Sequence, residues 1–239
     1  GEDTTTTMGV KAAKIAIERS GVDKNDIDFI VFATLSPDYY FPGPGVLVQR
    51  DLGLKTVGAL DVRNQCSGFV YAISVADQFI KTGMYKNVLV IGSENHSGGL
   101  DMTTRGRNVS VIFGDGAGAA VVSRNETGKG GILSTHLHSE GQHKNELSLQ
   151  GPSTGHWVPE IIAENPQENI PYYPVMNGQF VFKHAIVRFA EVIQEGLEAN
   201  NLKVEDIDML IPHQANLRIS QFIQHKLKLT DDQVFNNIQ

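Results

Sequence analysis

The chain has 239 residues, 41% apolar and 20% charged, with a formal net charge of −7. This is the balance of an ordinary globular protein with material for one or two packed domains. The acidic surplus argues against a surface dominated by phosphate-binding cations, so nucleic acid is not an expected partner; a small local basic patch is still compatible with it. One cysteine, Cys66, rules out an intrachain disulfide and fits a reducing cytoplasm. The opening GEDTTTTMG lacks the apolar stretch of a signal peptide, and no apolar run reaches the roughly 18 residues that span a bilayer. A cytoplasmic location without a membrane partner is therefore expected, and the N-x-S/T matches at Asn95, Asn108 and Asn125 are expected to carry no sugar.

Two periods alternate through the first half. Met8 to Arg19 has apolar residues at helical spacing and ends at Ser20-Gly21, a good C-cap. Ile27 to Leu35 reads as a strand buried on both faces. Val46 to Leu52 is a short helix and Val57 to Val62 a second buried strand. Ser67 to Thr82 is a long helix stopped by Gly83, and Asn87 to Gly92 is a third strand. Strands alternating with helices predict right-handed crossovers and a mostly parallel sheet. Asn108 to Phe113 and Ala117 to Ser123 then read as two strands joined by Gly-Asp-Gly, a hairpin signal.

Asn125 to Pro174 is rich in Gly, Pro, Ser and Asn. It is expected to be a connector with one strand near Gly131 to His138. The α/β grammar then resumes with an amphipathic helix from Phe180 to Asn200, a short buried strand from Asp208 to Ile211, and a helix from Asn216 to Leu227. The expected division is a first half over 1–125, a connector over 126–174 and a partial second half over 175–239. Both halves stop short of a complete pattern, as expected of an interior piece of a larger protein.

The chemistry gathers at two joints. In "NQCSGFVYAISVADQF", Cys66 stands where a strand ends and a helix begins, which is where open parallel sheets collect ligands. Unpaired amides and the positive end of the helix dipole favour a thiolate there, and helix N-termini lower thiol pKa values. Ser67 and Gly68 let a substrate approach closely. The bland alternative is a small buried hydrophobe. In "MLIPHQANLRI", His213 follows a strand end and Asn216 stands at the entry to the next helix. The histidine is placed to hold a thiolate or polarise a carbonyl, or else serves only as part of a helix cap. Two α/β halves packed together could join Cys66 and His213 as nucleophile and base.

Weaker features point elsewhere. Gly114-Asp115-Gly116-Ala117-Gly118 has the look of a nucleotide loop but the wrong spacing, with strand rather than helix after it. His136, His138 and His143 hint at zinc without a second ligand pair, so no metal is expected. His184 reads as a surface or interface residue.

The Cys66 segment, "IFGDGAGAAVV" from Ile112, "STHLH" from Ser134 and "IPHQANLRI" from Ile211 together resemble β-ketoacyl-acyl-carrier-protein synthase III of the thiolase superfamily. The resemblance runs in order along essentially the whole chain. It implies an α/β thiolase fold: two similar βαβαβ-type halves in an α-β-α-β-α layered arrangement, here incomplete at both ends, and normally a homodimer. It implies Cys66 as the nucleophile that takes an acyl group from coenzyme A, and malonyl-acyl carrier protein as the second substrate. His213 would stabilise the enolate formed on decarboxylation. No tightly bound cofactor is expected. The third member of the family's catalytic set is an asparagine expected beyond Gln239. Asn216 resembles a residue contacting the pantetheine arm. Arg107 resembles the arginine near the coenzyme A adenine, with Arg105-Gly106 an equally good register. Phe41 matches a phenylalanine lining the partner subunit's acyl pocket, and Lys183 and Arg218 match the patch that meets acidic carrier protein. Competing expectations are a condensing enzyme for a specialised polyketide, quinolone or ketone product, a non-catalytic subunit, and a Cys–His hydrolase.

Overall fold

The computed structural model describes residues 3–158 and 173–238. In chain order its elements are α1 (Thr5–Ser20), β1 (Phe29–Ala33), α2 (Pro44–Leu52), β2 (Gly58–Val62), α3 (Gly68–Lys81) and β3 (Asn87–Glu94). They are followed by α4 (Arg107–Ser110), β4 (Gly116–Ser123), β5 (Leu147–Ser148), β6 (Val175–Met176), α5 (Gly178–Ala199) and α6 (Leu217–Leu227). The chain divides into two compact units: Gly1–His96 with Gly114–Thr135, and Ser97–Phe113 with His136–Gln239.

The first unit is built on a four-stranded sheet in the order β2-β1-β3-β4. β1 pairs in parallel with β2 and β3, and β4 closes the other edge antiparallel to β3. The uninterrupted apolar run of β1 requires cover on both faces, and it receives it. Ile30 and Phe32 pack with Leu89 and Ile91 against Val10 and Ala13 of α1 and Val48 and Leu52 of α2. Val31 and Ala33 pack with Val88 and Val90 against Ala72, Ala76 and Ile80 of α3. The two-residue alternation of the strands thus builds two cores from one sheet.

α1 starts three residues earlier than its apolar pattern. Thr4 caps it, with Thr7 N donating to Thr4 Oγ1 at 3.2 Å and Thr4 N to Thr7 Oγ1 at 2.8 Å. Thr5 and Thr6, which follow, are buried, and Ser93 Oγ donates to the Thr5 carbonyl at 2.7 Å. At Gly9 the helix comes so close to the sheet that a Cβ would lie 2.9 Å from Phe32 Cε2 and 3.3 Å from Ile91 Cγ2. Gly9→Val should therefore cost about 1–3 kcal/mol through overpacking. The measurement is the urea midpoint, which should fall at unchanged m-value.

Three sequence expectations up to residue 138 need correction. β2 is an edge strand with Leu60 39% exposed, and it is not buried on both faces. The expected 108–113 strand is absent: Arg107–Ser110 is a short helix, and the Gly-Asp-Gly segment makes no hairpin. β4 instead pairs along the whole of β3, from Asn87↔Ser123 to Glu94↔Gly116, so the partner for β4 is already supplied. No strand forms at 131–138. Ile132 O accepts from Lys81 Nζ at 3.2 Å, and the Ser74 and Thr135 hydroxyls lie 2.9 Å apart, so this stretch runs along α3 rather than along a sheet edge.

The second unit carries the long helix α5, the helix α6 and a two-residue antiparallel ladder between β5 and β6. Asn177 Oδ1 accepts from Phe180 N at 3.3 Å and so caps α5. The buried strand expected at 208–211 reduces to a single parallel bridge, Leu210↔Val234. Met209 and Ile211 are 50% and 72% exposed, because one bridge buries no face. The connector expected over 126–174 falls partly outside the described residues.

Candidate active site

Parallel strands bring their C-terminal ends to one edge, and in the first unit that edge gathers three loops. After β1 come Thr34 to Ser36, after β2 come Arg63 to Cys66, and β3 ends in Glu94. The Glu94 carboxylate accepts from Leu35 N at 2.9 Å, from Thr34 Oγ1 at 3.1 Å and from the Ser36 hydroxyl. His96 Nε2 lies 3.5 Å from the same carboxylate, and His96 N donates to Asp115 Oδ1 at 2.7 Å. The Gly-Asp-Gly segment therefore anchors a loop and leads into β4, which removes the nucleotide-loop reading.

Cys66 is an exposed free thiol in a 3-10 turn, Gln65–Ser67, that runs directly into α3. Gln65 has φ 47°, a left-handed conformation that costs a non-glycine residue about 1–3 kcal/mol and clusters at functional sites. Ser67 Oγ donates to Asn64 O at 2.8 Å and tightens the turn. Gly68 is buried, with space for a Cβ only 3.2 Å from Ala33 Cβ, so α3 can begin hard against the end of β1.

The thiol's electrostatics depart from the helix-dipole expectation. Although the side chain reaches solvent, the protein crowding it desolvates the thiolate and pushes the pKa up; the Glu94 carboxylate adds to the rise, and only the residue's own backbone N–H opposes it. α3 proper starts two residues later, so the full dipole end is not at the sulfur. We expect the rate of iodoacetamide alkylation to titrate with a midpoint above the roughly 8.5 of a free thiol. Glu94→Gln, which removes the charge, should move that midpoint down. A wild-type midpoint below a free thiol's would restore the dipole account.

In the second unit, His213 lies between the Leu210↔Val234 bridge and α6. Gln214 braces this loop: its Nε2 donates to Pro212 O and Phe235 O, both at 2.9 Å, and its Oε1 accepts from Asn237 N at 3.1 Å. His213 is exposed, yet desolvation pushes its pKa down, which favours the neutral imidazole. Asn216 is the N-cap of α6, its Oδ1 accepting from Arg218 N at 2.9 Å. The cap occupies the amide oxygen and leaves the amide nitrogen as the group that can meet a ligand.

The remaining candidates are spread over both units. Phe41 is 83% exposed in a loop with Tyr39 and Tyr40. Arg107 is an exposed residue on α4, whereas Arg105 is engaged, with Nε 2.6 Å from Asp101 Oδ2 and its guanidinium over the Tyr173 ring. Lys183 on α5 and Arg218 on the first turn of α6 are both exposed. Cys66 belongs to the first unit and His213 to the second. Sequence reasoning passed over Glu94, Gln65 and Gln214. Glu94 carried a readable signal, a charged residue closing an otherwise buried strand at its C-terminal end.

The fold matches 3-oxoacyl-[acyl-carrier-protein] synthase III from Aquifex aeolicus VF5 with TM-score 0.87 and 40% identity, over 100% of this chain and 70% of that one. It matches β-ketoacyl-[acyl-carrier-protein] synthase III from Thermus thermophilus with TM-score 0.87 and 32% identity, over 99% and 70%. Residues 60–141 fit the family description 3-oxoacyl-[acyl-carrier-protein] synthase III, and residues 197–239 fit its C-terminal part. The chain is 44% identical over 232 residues to synthase III 1 of Vibrio vulnificus, covering 97% of this chain and 68% of that protein. It is 45% identical over 237 residues to synthase III of Rhodospirillum centenum, again covering 97% and 68%. The chain belongs to the 3-oxoacyl-[acyl-carrier-protein] synthase III family. Among the described residues no helix is long and apolar enough to cross a membrane.

Proposed function

We propose that the protein initiates fatty acid synthesis by condensing an acyl-coenzyme A primer with malonyl-acyl carrier protein. One observation carries the reading: 44–45% identity to synthases of that name along 97% of the chain. The positions of Cys66 and His213, each just ahead of a helix at a strand or bridge end, supply suitable chemistry.

In the proposed reaction, Cys66 Sγ attacks the thioester carbonyl of acyl-coenzyme A. The coenzyme A thiolate leaves and takes up the thiol proton, and acyl-Cys66 remains. A raised thiol pKa means that this proton must be drawn off during attack, and neutral His213 can accept it if the two units present them to one substrate. Malonyl-acyl carrier protein then loses carbon dioxide, and an imidazole N–H of His213 stabilises the enolate oxygen. The enolate carbon bonds to the acyl carbon, Cys66 departs as leaving group, and 3-oxoacyl-acyl carrier protein is released. An asparagine outside this sequence would be the second donor to the enolate.

Coenzyme A would meet the Asn216 amide along its pantetheine arm and Arg107 at its adenine end; the Arg105 side chain is already held by Asp101. Phe41, in its exposed aromatic loop, would line the acyl pocket of a second copy in a homodimer. Lys183 and Arg218 would receive the acidic carrier protein. Replacing both with Glu should raise KM for malonyl-acyl carrier protein about tenfold or more and weaken its salt dependence, while acylation of Cys66 by a small acyl-coenzyme A changes little. Equal losses in both half-reactions would make these residues structural.

The test is mass spectrometry of the complete enzyme after incubation with acyl-coenzyme A, then with malonyl-acyl carrier protein. An acyl adduct on the intact protein followed by a 3-oxoacyl-carrier product is expected. Free acid would instead indicate a hydrolase, the absence of any adduct a non-catalytic subunit, and the chain lengths accepted separate fatty acid priming from specialised products.

A further inference from the structure

The histidines of the sequence 136–143 do not form one group. His136 Nδ1 and His138 Nε2 each take one oxygen of Glu195, at 3.0 and 2.6 Å, so that carboxylate is shared out between them. His143 instead joins Glu140 and His184, a residue that its sequence context marks only as a surface position. Glu140 and His143 stand three apart at a 3-10 turn, Gly141–His143, where residues i and i+3 eclipse. Phe180, His184 and Arg188 recur every four residues on α5 and so share a face. The turn and the helix face meet through side chains: His184 Nε2 is 2.6 Å from Glu140 Oε2, and the His143 and His184 rings are 4.7 Å apart. One ligand atom from each of Glu140, His143 and His184 lies within 4.8 Å of the others, and all three residues are half-buried.

We propose that Glu140, His143 and His184 form a binding site for a divalent transition metal, with zinc the best fit. Two imidazoles and one carboxylate are a zinc donor set, with a fourth position left for water. Tetrahedral bonds of about 2.0–2.2 Å hold ligand atoms about 3.3–3.6 Å apart, so closing the site takes side-chain adjustments of about an ångström. The metal takes the place of the proton that His184 Nε2 and Glu140 Oε2 share. The supporting groups are already in place. Arg188 holds Glu140 from outside, with Nη2 2.6 Å from Oε1 and Nε 2.9 Å from Oε2, as ligating carboxylates are usually oriented. The Phe180 ring, 5.0 Å from His184 and 4.8 Å from His143, fixes the planes of both imidazoles. Bound metal would staple the turn to α5 beside Lys183.

The experiment uses the complete enzyme carrying Cys66→Ser, which removes the one thiol of this sequence that could capture zinc. Zn²⁺ affinity is measured by competition with a chromophoric chelator. One equivalent should bind, weakened at least tenfold by His143→Ala and by His184→Ala and unchanged by His138→Ala. Co²⁺ in the parent should give the intense visible absorption of a tetrahedral site, which is read on unmutated ligands and does not depend on how the variants fold. Zn²⁺ affinity that survives both histidine variants, or a weak octahedral Co²⁺ spectrum in the parent, would overturn the proposal and leave an ordinary hydrogen-bonded cluster.

Discussion

His213→Ala is expected to lower condensation about 10²–10³-fold while acyl-Cys66 still forms, more slowly than in the wild type. The two half-reactions ask different things of the protein. Acylation needs a sulfur nucleophile, and that sulfur sits in the first unit whatever occupies position 213. Decarboxylation needs an N–H donor aimed at an oxygen where charge develops, the role proposed for His213. The direction of the His213 pKa sharpens the expectation. Desolvation lowers it, so the imidazole stays neutral from its lowered pKa upward, and the acid limb of condensation assigned to it should fall below the roughly 6.5 of an ordinary histidine. Rates of malonyl decarboxylation and of adduct formation, followed separately by mass spectrometry across pH, provide the check. If His213→Ala condenses at close to the wild-type rate, the His213 loop is only the entry to α6.

Cys66→Ala should abolish the acyl adduct altogether, with condensation reduced to background. Removing a covalent nucleophile removes the intermediate, whereas removing a donor only raises the barrier to one step. Decarboxylation of malonyl-acyl carrier protein should survive in this variant, because His213 and its loop are untouched. The stability of the fold should hardly change, since the residue is exposed and makes no contribution to either core. The expected signature is thus carbon dioxide release without a new carbon–carbon bond. An adduct that persists in Cys66→Ala would assign the nucleophile to another side chain.

Much of this was legible in the sequence because it depends on local pattern. The apolar run of β1 announced a strand covered on both sides, and Ile30, Val31, Phe32 and Ala33 are all buried. Helical spacing located α1, α2, α3, α5 and α6 to within a few residues, and Gly21 at φ 70° ends α1 as its position implied. The strand-to-helix joints that drew attention to Cys66 and His213 are local features too. They come from where one periodicity stops and another starts.

What failed depended on partners far away in the chain. The run Asn108 to Phe113 has strand-forming residues, but β3's edge is taken by β4, and a strand without a partner leaves its backbone groups unpaired. Val57 to Val62 forms a strand whose burial was decided by its place at the sheet's edge, not by its composition. The Cys66 pKa could not be read either: a helix start is visible in sequence, but the crowding around the sulfur and the Glu94 carboxylate from the end of β3 are assembled only by the fold. The same holds for Glu140, His143 and His184, where residues 44 apart in sequence meet because a 3-10 turn faces one stripe of α5. Sequence by itself determined most of the helices, the buried central strand and the joints where Cys66 and His213 stand, because dihedral preferences and periodic burial act within a few residues. Tertiary structure alone decided pairing, exposure and electrostatic environment, because each is set by whichever distant groups displace water from the site.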